Sequence, residues 1–299
     1  MSLRISYVSL MSMGDRKRRV AALVRALTLS AMAGALALPA QAQQVVSRGE
    51  SFLSAQLLPG GRLADGRQSA ALVLKMRPGW KTYWRQPGEA GVPPMLDWTG
   101  SGNLADIEVG WPAPEVFESF GYTTLGYGDR VVLPLTLTPT LAGEPVTLRL
   151  EGTLGVCKDI CVFEQVSETV AVPSASSSIH DGAIAAARDA MPDGPAVSGV
   201  HLVACRIAGA GKARQVSARF LMPAAAVAGG PLPLVIVEGP EGSWVEPPSL
   251  AAAEDGAVTL EAVLRLGSAE AWVGRGDLRF TLLATGIAAE IEGCIPTTG

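Results

Sequence analysis

Cys157 and Cys161 stand four positions apart in Gly155-Val-Cys-Lys-Asp-Ile-Cys-Val162. Two thiols at this spacing point to dithiol–disulfide chemistry, provided the backbone brings them face to face. Upstream, Val146, Leu148 and Leu150 alternate with Thr147, Arg149 and Glu151. Downstream, Val166, Val170 and Val172 alternate with Ser167, Thr169 and Ala171. Period-two alternation on both sides predicts a β-hairpin with Lys158-Asp159-Ile160 as its turn. Along one flat strand, residues i and i+4 lie about 13 Å apart, too far to bridge. Across a hairpin mouth the same residues face each other at about 4.5–5.5 Å between Cα atoms, within disulfide range. The pair is therefore expected to close a very small disulfide loop. Such a loop removes little entropy from the unfolded chain, so it stabilises less than a long-range bond. Strained or accessible disulfides are also the more readily exchanged ones. A hairpin staple and a redox-active pair are the two readings of this motif.

The compartment follows from the first 42 residues, which read as an export signal. Arg16-Lys-Arg-Arg19 supplies the positive region, Ala26 to Leu38 the apolar run, and Ala40-Gln-Ala42 a small-residue cleavage site. The apolar run is shorter than the ~20 residues a spanning helix needs, and no later segment qualifies. The mature chain is expected to be exported, without a transmembrane segment, to a compartment where disulfides persist. Cleavage after about Ala42 would remove six basic residues and one acid, leaving 18 basic and 27 acidic and a formal balance of −9 in place of −4. Such an acidic chain makes nucleic acid a poor partner.

About 257 residues then remain, enough for two domains. Short alternating segments punctuated by Gly, Pro and Asp recur throughout, among them Ala70–Met76, Val131–Thr138, Gln215–Leu221, Val258–Leu266 and Leu278–Ala284. The predicted fold class is all-β, with two immunoglobulin-like β-sandwich domains joined by a linker with a short helix. The expected boundaries are 43–173 for the first sandwich, 174–195 for the linker and helix, and 196–299 for the second. Within the linker, Ser178-Ile-His-Asp181 resembles a capping box, and Met191-Pro-Asp-Gly-Pro195 stops the helix. Four of the six tryptophans, Trp80, Trp84, Trp98 and Trp111, fall in the first half, where they are expected to pack core and loops.

With the cysteine hairpin placed, a wider pattern emerges. The segment Arg77-Pro-Gly-Trp-Lys-Thr-Tyr-Trp-Arg85, then Pro93-Pro94, Asp97-Trp98, Trp111-Pro-Ala-Pro114, Gly126-Tyr127 and the cysteine hairpin follow one another in order. This resembles the N-terminal periplasmic domain of DsbD-type thiol:disulfide interchange proteins, in the branch that includes the copper-sensitivity suppressor ScsB. The resemblance covers roughly Val45 to Val172, and the second half resembles that branch more loosely.

The resemblance implies an immunoglobulin-like domain that relays two electrons by dithiol–disulfide exchange. The implied partners are a membrane-embedded thiol electron donor and periplasmic thioredoxin-fold proteins. By the same resemblance Cys161 forms the mixed disulfide and Cys157 resolves it, while a cap loop covers the bond. The segment Glu118-Ser119-Phe120 matches that loop, with Phe120 as shield, Tyr122 beside it and Glu118 as an acid able to handle a thiol proton. Ser119 stands where the family has a second acid, and three residues separate the cysteines, as in the branch it resembles, where the best-studied members have five. Full-length relatives also carry a polytopic membrane domain and a Cys-X-X-Cys thioredoxin module. Neither is found in this sequence, so a separate membrane donor is expected.

Cys205 and Cys294 lie near the two ends of the second half. Terminal strands of a sandwich are often neighbours, so a structural disulfide closing a long loop is expected. It would be worth about 4–5 kcal/mol in the chain-entropy description. No cofactor motif and no metal-ligand spacing occur; His180 and His201 are the only histidines. Two alternatives remain for the first pair: a Cu(I)-binding copper-tolerance site using the same cysteines, and a non-catalytic interaction module with structural disulfides.

Overall fold

A computed structural model describes residues 51–119, 121–224, 231–253 and 255–295, residue 119 by its backbone alone. Every described sheet is antiparallel. The first sheet has the order β1-β2-β8-β5, from Leu53–Arg62, Gln68–Met76, Arg130–Pro139 and Leu104–Val109. The second runs β10-β9-β3-β7-β6, from Cys161–Val172, Val146–Cys157, Lys81–Gly88, Tyr122–Gly128 and Glu115–Ser119, with β4 (Met95–Asp97) added against β9. Their inner faces bury Leu72, Leu74, Leu133, Leu135 and Leu137 against Trp84, Leu148, Leu150, Leu154 and Val156. Strand β9 shows why the alternation is legible. Val146, Leu148 and Leu150 are buried, whereas Thr147, Arg149 and Glu151 are exposed. The chain thus folds as an immunoglobulin-like β-sandwich around one apolar core.

A second sandwich follows. One sheet has the order β11-β12-β16-β14, from His201–Ala208, Ala213–Leu221, Ala257–Arg265 and Trp244–Val245, with β15 (Ser249–Ala252) paired to β16. The other has the order β13-β17-β18, from Leu234–Glu238, Arg279–Ala284 and Ile287–Glu292. Between them Phe220 and Phe280 meet edge to face, with ring centroids 5.4 Å apart. Cys205 on β11 is bonded to Cys294 after β18, so the bond ties one sheet to the other.

The three-stranded sheet has two employed faces. Val235, Val237, Phe280 and Leu282 fill the second core, while Leu234, Ile236 and Leu283 pack on the first. Beside them, Arg85 on β3 is held in a fork by Glu238 on β13, at 3.0 Å to Oε1 and 2.8 Å to Oε2, and also bonds Glu290 on β18. The guanidinium lies 4.2 Å from the Trp84 ring centroid. Burial opposes its charge, but hydrogen bonds and attraction from Glu238 and Glu290 outweigh burial and hold the Arg85 pKa above its ordinary value. The two sandwiches belong to one compact unit.

Helix α1 (Asp181–Asp189) lies against the outer face of the first sheet, where Ile184 packs with Leu58, Ala71 and Val73. Its Arg188 donates to Thr136 Oγ1 and to the Leu135 carbonyl, at 3.0 and 3.1 Å. The predicted capping box is half formed. Asp181 Oδ2 accepts from the Ser178 N–H at 2.7 Å, but Ser178 Oγ is taken up by the His180 N–H and the Pro59 carbonyl. Asp181 also accepts the Gly61 N–H, so the helix start is fastened to β1 as well as capped. A second short helix, α2, covers Pro195–Ser198.

Candidate functional site

The hairpin of β9 and β10 pairs Cys161 with Cys157, Val162 with Val156, and so on without a slip to Val172 with Val146. The turn is closed by the Lys158 N–H donating to the Ile160 carbonyl at 3.0 Å. The two cysteines are bonded, with Cα atoms 4.2 Å apart. They differ in environment because β9 is an interior strand and β10 ends the sheet. Cys157 is 2% exposed, whereas Cys161 is exposed to solvent.

Strand β3 brings further chemistry. Period two puts Lys81, Tyr83 and Arg85 on one side of the strand, with Thr82 and Trp84 on the other. Trp84 is fully buried in the core, which sets the register of its neighbours. Lys81 pairs with Cys157 across the ladder. The Tyr83 hydroxyl lies 2.9 Å from Cys157 Sγ and 3.7 Å from Cys161 Sγ. A Cβ on Gly155 would meet the Tyr83 ring at 3.1 Å, and one on Gly91 would meet it at 2.7 Å. The two glycines therefore make the slot that holds the ring. Burial pushes the Tyr83 pKa up, so the phenol stays a neutral O–H donor at physiological pH.

A groove of about 500 Å³ opens beside Cys157, lined by Trp80 and Lys81 from β3 and its approach, Phe117 and Glu118 from β6, and Lys158 and Asp159 from the turn. The Lys81 ammonium sits 4.5 Å from the Phe117 ring centroid, and burial lowers its pKa. Trp80 stacks on Phe52 with centroids 3.9 Å apart, and Trp98 and Trp111 pack on the first core, so all four tryptophans of this half serve packing.

Of the site residues expected from sequence, Cys157 and Glu118 line this groove, and Cys161 is bonded to Cys157. Glu118 accepts from the Thr123 hydroxyl at 3.1 Å. Phe120 lies outside the described residues. Tyr122 is half exposed and lines a different cleft of about 380 Å³, with Trp244, Pro247 and Pro248 of the second sandwich. Three residues were not singled out in sequence: Tyr83, Lys81 and Phe117. The signal for the first two was their alternation with Trp84; nothing local marked Phe117.

Among the described residues no group of three or more His, Cys, Asp or Glu side chains could hold a metal ion, and no helix is long and apolar enough to cross a membrane. Cys294 is fully buried in the second core, in contrast to the exposed residue Cys161.

Among curated proteins, none matches the chain significantly. Solved structures similar to it include the N-terminal periplasmic domain of ScsB from Proteus mirabilis, at 22% identity and a TM-score of 0.55, covering 80% of this chain and 92% of that one. That likeness concerns the fold. Residues 54–173, which hold the first sandwich and the cysteine hairpin, match the family described as thiol:disulfide interchange protein DsbD, N-terminal. Over those residues the chain carries a DsbD-type N-terminal domain of the thiol:disulfide interchange family.

Proposed function

We propose that this chain is a periplasmic electron relay in which Cys157 and Cys161 pass two electrons between protein partners. The observation that carries this reading is the asymmetry of the pair: Cys161 is an exposed residue on the edge strand, and Cys157 is buried with its sulfur beside a phenol O–H. A partner thiolate attacks Cys161 Sγ, the Cys157–Cys161 bond breaks, and its electron pair leaves on Cys157. The leaving thiolate forms where the Tyr83 hydroxyl donates and where Lys81 is the ladder neighbour, both of which favour the anion. The partner's second thiolate then attacks its own sulfur in the mixed disulfide and releases Cys161. The relay has gained two electrons and takes up two protons; the donor has become a disulfide. Glu118, on the rim of the groove, is placed to exchange such a proton with solvent. In the outward step Cys161 attacks the next protein's disulfide, and Cys157 resolves the intermediate.

The partners implied are a membrane-embedded thiol donor and thioredoxin-fold acceptors, with export directed by residues 1–42. Cys205–Cys294 serves as a structural bond in this reading. Incubation with reduced thioredoxin should reduce Cys157–Cys161 stoichiometrically, and in a Cys157→Ala variant the Cys161 thiolate should attack the disulfide of an oxidised thioredoxin-fold partner and hold it as a mixed disulfide. A pair that stays oxidised throughout the titration would refute the relay.

A further inference from the structure

We infer that Ile160 and Phe163, flanking the exposed Cys161, are the apolar anchor on which a thioredoxin-fold redox partner docks. The inference rests on the exchange proposed above. Ile160 is 60% exposed and Phe163 is 64% exposed, although both are large apolar side chains. Phe163 is two residues from Cys161 on β10, so it shares that face of the strand at about 7 Å. Its partner in the ladder is Gly155, which offers no side chain to cover it. The slot over Gly155 is filled by the Tyr83 ring, which leaves the outer strand bare at this level.

Charge does not mark this edge. Lys158 and Asp159 in the turn oppose each other in sign. The adjacent acid, Glu164, is occupied by the Ser51 hydroxyl at 3.0 Å and the Phe52 N–H at 2.8 Å. Among the described residues, the exposed side chains flanking Cys161 on this edge are the apolar Ile160 and Phe163. A stable protein contact covers about 800 Å² per partner, a disc of roughly 16 Å radius. Any protein sulfur that reaches Cys161 in line must therefore cover Ile160 and Phe163 too. Aromatic side chains near the centre of an interface tend to supply much of its energy. The fitting occupant is a protein thiol ringed by apolar side chains. A small thiol needs only the sulfur and gains nothing from the flanks.

The test compares two reductants on the full chain. An Ile160→Ser/Phe163→Ser variant removes only exposed side chains, so the fold and the disulfide should be retained. Its reduction by reduced thioredoxin should slow at least tenfold, with reduction by dithiothreitol unchanged within twofold. Phe163→Leu should recover most of the thioredoxin rate. Equal thioredoxin rates for variant and wild type would overturn the anchor, as would a matching loss with dithiothreitol. A wild-type pair inert to both reductants would instead sink the exchange reading beneath it.

Discussion

Tyr83 points its hydroxyl at the buried sulfur of Cys157, 2.9 Å away, and stands farther from Cys161, at 3.7 Å. One strand thus treats two chemically identical sulfurs differently. In the proposed exchange, the sulfur that leaves as an anion has a donor, and the sulfur that is attacked belongs to an exposed residue.

Tyr83→Phe keeps the ring in its slot and deletes the donor. A hydrogen bond to a charged group is worth about 1.5–3 kcal/mol, so the reduced Cys157 thiol should rise by about 1–2 pK units. The sign follows because the bond favours the thiolate. Alkylation rate against pH, read on the reduced protein with Cys161→Ser, measures it. An unchanged profile would remove Tyr83 from the chemistry.

Gly155→Ala tests the slot itself. The added Cβ would stand 3.1 Å from the Tyr83 ring, tighter than ordinary contact, so the ring must shift by a few tenths of an ångström. The Cys157 pKa should move the same way as in Tyr83→Phe, but less. Combined with Tyr83→Phe, the two effects should fall short of additive, since both act through one hydroxyl.

Arg85→Met breaks the ion-pair cluster between the sandwiches and leaves Glu238 and Glu290 without their part-buried cation. Breaking a fully buried pair from one side costs about 3–5 kcal/mol, so this part-buried one should cost about 2–3 kcal/mol. Denaturant unfolding should show that loss, and a further Glu238→Gln should return part of it. If Arg85→Met alone costs under about 1 kcal/mol, the cluster does not hold the sandwiches together.

Cys205→Ser/Cys294→Ser opens a loop with a sequence separation of 89. The expected loss is about 4–5 kcal/mol of stability. Reduction of Cys157–Cys161 by reduced thioredoxin should keep its wild-type rate, because the second bond lies in the other core. A lost exchange activity in a still folded variant would contradict a purely structural role.

The hairpin was legible because its information is local. Alternation from Val146 to Leu150 and from Val166 to Val172 fixes which face each strand buries, and the turn length then sets Cys157 opposite Cys161. Cys205 and Cys294 were readable as a pair for a coarser reason, their places near the ends of one β-rich half. The linker helix was readable in extent, whereas its docking on β1, β2 and β8 was not. Ser178 and Asp181 looked like a closed local cap, yet Pro59 and Gly61 took part of each group's bonding capacity.

By itself, then, the order of residues determined the paired thiols, the all-β character and the strand faces. These depend on period-two burial and on contacts a few residues apart. Only the tertiary structure decided that Tyr83 and Lys81 stand beside Cys157, that Phe117 walls the same groove, and that Arg85 reaches Glu238 and Glu290. Such neighbours come from the order of strands across a sheet and from one sandwich packing on another. Alternation along a strand says which face a side chain takes, but it carries no record of which strand will lie alongside.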